Sequence, residues 1–146
     1  MSQLENIKRS KKTSIMASSI SVDQIGSRPS SNYGGGKFTE ISISQVRHGL
    51  VLCLAVLNLS PSALKARFNI KFKQAKDDEL GNFCWCVLQT ASGRQFGLRQ
   101  FEMERSSGTE VLVDETSVNL SGKLNEFEQA LNFSRSDFVW INPEAH

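Results

Sequence analysis

Histidine is scarce in this chain, and the scarcity limits the chemistry open to it. The sequence holds two, His48 and His146. Nucleophilic catalysis needs a base beside its nucleophile, yet His48 stands between Arg47 and Gly49, and no G-x-S-x-G elbow occurs. Cysteine is sparse too. Three residues, an odd number, argue against a disulfide framework and for a reducing compartment. The C-x-x-C spacing that lowers a thiol pKa is missing. No apolar run approaches the ~20 residues that span a bilayer. The longest, Gly49 to Leu57 (GLVLCLAVL), also begins too far along the chain for a signal-peptide core. These absences lead us to expect an intracellular protein, cytoplasmic or nuclear, without membrane contact, cofactor or enzymatic activity.

What the sequence does contain is one domain's worth of core and a charge asymmetry. A chain of 146 residues with nine Phe and two Trp can bury a self-sufficient core. Residues 1–37 carry six basic groups (Lys8, Arg9, Lys11, Lys12, Arg28, Lys37) against Glu5 and Asp23. The remainder carries eleven basic and thirteen acidic groups, so a mildly acidic body bears a basic tail. Residues 1–36 are Ser-rich, poor in apolar groups, and close on Ser-Ser-Asn-Tyr-Gly-Gly-Gly. Such a stretch buries too little surface to offset its ordering entropy, so it reads as a disordered basic arm hinged at the glycines. YGGGK lacks the spacing and the preceding strand that a phosphate-binding loop requires. The domain proper is expected over 37–146.

Within that body, period-2 alternation dominates. FTEISIS (38–44) alternates, with Thr39, Ile41 and Ile43 on one side. The run 49–59 suits a covered strand or a helix, and Gly49 and the valines favour strand. Ser60-Pro61 is a helix start, with Ser at the cap and Pro at the first helical position. The helix should be short, because ARFNIKFKQ (66–74) alternates cleanly and predicts a strand with Arg67, Lys71 and Lys73 facing water. Strands at 83–90, 94–104 and 109–115, joined by short Gly-containing links, predict an antiparallel meander, with a bulge at Gly97. Leu124, Phe127 and Leu131 then recur at helical spacing, and FVWI (138–141) closes the body as a strand. The expected fold is α+β: a mostly antiparallel sheet of about five to seven strands with one or two helices packed on it.

The densest chemical stretch is NFCWCVLQ (82–89). Cys84 and Cys86 could join Cys53 and His48 in a zinc site, but no second closely spaced ligand pair exists. Free cysteines commonly pack as small hydrophobes, so no metal site is expected. The stretch instead predicts a central strand covered on both faces. Phe83, Trp85 and Val87 would lie on one face and Cys84, Cys86 and Leu88 on the other, under the helix of Leu124, Phe127 and Leu131.

Two partner classes remain. A nucleic acid could be held by the arm's cluster Lys8, Arg9, Lys11 and Lys12, helped by a basic sheet face built from Arg67, Lys71, Lys73 and Arg99, with Arg94 and Arg105 nearby. The arm's cluster equally suits a nuclear-import-like signal or a solubilising tail, whereas its scarce arginine argues against an organelle transit segment. Alternatively, a protein-binding module (inhibitor, immunity-type or viral structural or accessory protein) would act through a sheet edge and acidic turns. An enzyme, the third class, would need a concave pocket holding His48 or a thiol beside other titratable groups.

Overall fold

The computed structural model describes residues 37–115 and 119–146, with backbone alone at 105–107. The arm, including Lys8, Arg9, Lys11 and Lys12, therefore lies outside the described residues. Seven strands form one antiparallel sheet: β1 (Phe38–Ile41), β2 (Leu50–Leu57), β3 (Lys73–Asp77), β4 (Gly81–Thr90), β5 (Gln95–Phe101), β6 (Thr109–Asp114) and β7 (Phe138–Ile141). The strand order is β1-β4-β5-β6-β2-β7, and β3 also pairs with β4. β4 is central, as expected. It pairs with β5 on one side and is flanked on the other by β3 along Gly81–Trp85 and by β1 along Val87–Thr90.

Two helices are built from local signals. α1 (Pro61–Phe68) starts where Ser60 caps it by accepting from the Ala63 amide, with Pro61 in its first turn. It ends at Asn69, held at φ 59°, a left-handed conformation that Asn tolerates better than most residues. α2 (Leu120–Leu131) is capped by Asn119, whose side chain accepts from the Gly122 amide. Both helices lie on one sheet face. Leu64 and Phe68 from α1, with Leu124, Phe127 and Leu131 from α2, bury against Leu54, Cys86, Leu88, Phe96 and Leu98. The Phe96 and Phe127 rings, 5.2 Å apart, pin α2 to β5.

The opposite face carries a second buried cluster that includes Ile43, Leu50, Cys53, Val56, Phe83, Trp85, Phe101 and Leu112. Ala75 of β3 and Trp140 of β7, from opposite margins of the sheet, pack against it, as occurs when a twisted sheet coils over its concave face. The connection from β1 to β2 must cross this face, because those strands lie on opposite sides of the meander. Its Ile43 is buried in the cluster, and Gln95 fastens the crossing by accepting from the Arg47 amide and donating to the Gln45 carbonyl.

Three sequence expectations are corrected. Residues 66–74 are not one strand. The helix runs through Phe68, and Phe68, Ile70 and Phe72 reach the core from a helix end and a connector. Gly97 is no bulge, since it sits in regular register opposite Val87. The apolar pattern shifts there because β5 ends at Phe101 and a 3-10 turn (Glu102–Ser107) follows, leaving Met103 exposed. β1 stops at Ile41, and Ile43 lies in a 3-10 turn (Ile43–Gln45).

Candidate functional site

Arg99 is not on an outward basic face. It is fully buried on β5, its Nε donates to Glu110 on β6 at 2.8 Å, and its guanidinium lies 4.9 Å from the centre of the Phe101 ring. The alternation of β5 explains this, because both of its faces are covered and Arg99 shares the concave side with Gln95 and Phe101. Trp85, directly opposite Arg99, is also buried there, and its indole nitrogen has no hydrogen-bond partner. An arginine so placed cannot touch a nucleic acid.

Arg67, Lys71 and Lys73 are not a strand face but follow one another along the end of a helix, a connector and the start of a strand. Arg67 sits in the last turn of α1, its guanidinium over the Phe68 and Phe133 rings at 5.1 and 4.9 Å. Lys71 is exposed in the connector, which Glu40 ties down by accepting from the Lys71 amide. Lys73 opens β3. Lys65 and Lys76, not singled out from the sequence, extend the series, so that residues 65–76 hold five cations and no carboxylate. Among the described residues none of the five is ion-paired. The acidic turn that follows keeps one carboxylate occupied locally, since Asp77 accepts from the amides of Glu79 and Leu80.

A second grouping gathers residues from four segments around a cleft of about 240 Å³ at the C-terminal end of β4. Arg47 and His48 come from the crossing connection and Leu50 from the start of β2 that follows it, Ser92 to Arg94 from the β4–β5 turn and Gln95 from the start of β5, Asp114 from the end of β6 and Lys123 from α2. Lys123 Nζ donates to Asp114 at 2.8 Å and Arg94 Nε to Glu126 at 2.8 Å. Burial raises the Glu126 carboxyl pKa, but hydrogen bonds from Ser92, Thr90 and Arg94 and the charge of Arg94 outweigh it and leave the group below the ordinary glutamate range. This cleft is the concave pocket holding His48 that an enzyme would require. Within it His48 has no hydrogen-bond partner among the described residues, and the Ser92 hydroxyl is bonded to Glu126 and Thr90.

The thiols are divided. Cys86 packs under the helices and Cys53 on the concave face, so the sheet itself separates them. Burial pushes both thiols well above their ordinary range, and that of half-buried Cys84 less so. Among the described residues no three His, Cys, Asp or Glu side chains gather as metal ligands, and no helix is long and apolar enough to cross a membrane.

Fold and surface together define an α+β protein on a coiled seven-stranded antiparallel sheet with helices on one face. No protein-family model, curated protein or solved structure matches the chain.

Proposed function

We propose that the protein binds nucleic acid without sequence readout, contacting phosphates through its basic arm and the cationic stretch from Lys65 to Lys76. The observation that carries this reading is that stretch: five cations, none of them neutralised by an ion pair among the described residues. Carboxylates elsewhere (Glu110, Glu126, Asp114, Glu128) are occupied by Arg or Lys, whereas these five cations keep their charge available to an outside anion. Arg67, steadied over two rings, presents its guanidinium at little further entropic cost. Each phosphate contact to duplex DNA should contribute about 0.9 to the slope of log affinity against log salt.

The test compares full-length protein, a deletion of residues 1–36, and a variant with Lys65, Arg67 and Lys71 changed to Gln. Both changes should lower oligonucleotide affinity and flatten the salt slope. Undiminished low-salt affinity with both changes combined would sink the reading. A second reading, a protein partner docking on the sheet edge, draws on β7. It is paired only with β2, and its Val139 is 49 % exposed.

A further inference from the structure

We infer that the cleft between Arg47, His48, Arg94 and Lys123 is a binding site for a phosphate group. The strongest pointer is Lys123. The residue is 5 % exposed, yet among the described residues its ammonium has a single partner, Asp114. An ammonium carries three donors, and only one is taken up by Asp114, which leaves the others to the cleft that Lys123 lines. Arg94, on the exposed rim, also has donors to offer. Its Nε is held by Glu126, while its terminal nitrogens make no hydrogen bond among the described residues. Among the described residues His48 has no partner, and Arg47 spends its terminal nitrogens on the Gly93 carbonyl and the Gln89 side chain, with no partner there for its Nε.

The two nearby carboxylates hold these cations more than they cancel them. Glu126 is engaged at both oxygens, one by Arg94 and the other by the Thr90 and Ser92 hydroxyls. Asp114 is engaged by Lys123. Three permanent cations against two occupied carboxylates leave the site positive, with guanidinium donors already oriented, and such fork-shaped donors suit a tetrahedral oxyanion. Lys123 lies early in α2, so the positive end of that helix dipole falls on the same side. A cleft of about 240 Å³ is below the ~300 Å³ at which whole drug-sized ligands are engulfed. It fits a small anion or the phosphate end of something larger.

The site is separate from the cationic stretch. Lys73 and Lys76 pair along the N-terminal half of β4, opposite Trp85 and Asn82, whereas the cleft caps the strand's other end. The two proposals can therefore fail independently.

The experiment titrates inorganic phosphate into the full chain, following amide resonances at constant ionic strength. Saturable shifts confined to residues 47–50, 92–95 and 122–124 are expected. Arg47→Gln and His48→Gln, both at exposed positions, should each weaken binding about tenfold while leaving the rest of the spectrum unchanged. Absence of saturable shifts, or shifts that neither substitution alters, overturns the site. Short oligonucleotides with and without a 5′-phosphate then separate the sources of the group. A phosphorylated end that alone competes with phosphate assigns a terminal monoester, equal competition assigns backbone phosphodiester, and no competition leaves free phosphate as the ligand. Gln at positions 65, 67 and 71 should leave the phosphate titration unaffected.

Discussion

Arg94 just precedes β5 and Arg99 lies within it, and each holds a glutamate at 2.8 Å, yet the two ion pairs are different objects. Arg99–Glu110 is sealed inside the concave face, with side-chain exposures of 0 % and 6 %, while Arg94–Glu126 sits at 39 % and 25 % on the rim of a cleft. In the first, two charges have lost water and depend on one another. In the second, solvent screens the attraction and would readily replace either partner. Bond length alone therefore says little about what a pair contributes; the dielectric around it decides. The buried pair also fixes register. Arg99 and Glu110 are directly opposite across β5 and β6, and a one-residue slip would send one of them to the helix side.

That contrast can be broken from its strong side first. Arg99→Ala should lower unfolding free energy by about 3–5 kcal/mol in urea titration, because Glu110 would be left charged and buried. If the loss arises from the orphaned charge rather than from a lost attraction, Arg99→Met with Glu110→Leu should recover most of it. The double variant should fall within about 1 kcal/mol of the parent. On the exposed side, Arg94→Ala should cost no more than about 1 kcal/mol, and less still at high salt. A result near that of Arg99→Ala would overturn the distinction.

The rim pair also predicts a pH dependence. Glu126 binds its proton less readily folded than unfolded, so its contribution is complete above the ordinary glutamate range and is lost as pH falls through the lower folded value. Between about pH 6 and about pH 3 the parent should lose more stability than Glu126→Gln does. The smallest effect concerns thiols, where burial again makes the difference. A disulfide reagent should modify Cys84 slowly in the native protein and leave Cys53 and Cys86 untouched until it unfolds.

Local signals were legible in the sequence and long-range ones were not. Ser60-Pro61 marked a helix start because cap and first turn are neighbours in the chain. The two-faced burial of β4 followed from apolar residues at consecutive positions, and the helix over Cys86 and Leu88 came from a spacing of Leu124, Phe127 and Leu131. The error at 66–74 has a physical origin. A helix closing at Phe68, a left-handed turn at Asn69 and a connector burying Ile70 produce the same alternation as a strand. Arg99 was misplaced because its neutralising partner lies across a strand pair. A charged residue on an alternating segment reads as exposed until its register is known. The phosphate cleft could not be read as a site, since its lining comes from four separated segments, and His48 and Arg94 were noticed only for other reasons.

β2 raises a problem of timing. It is the most apolar strand, yet it pairs only with partners far ahead of it in the chain, from Leu50 with Asp114 to Leu57 with Phe138. As the polypeptide leaves the ribosome, this run emerges early and has no sheet to enter until the meander of β4, β5 and β6 exists. Its outer edge stays open until β7 is made. The nascent chain thus carries a sticky, unpaired segment through most of its synthesis, which makes β2 the natural binding point for chaperones and the first place where crowded chains would aggregate.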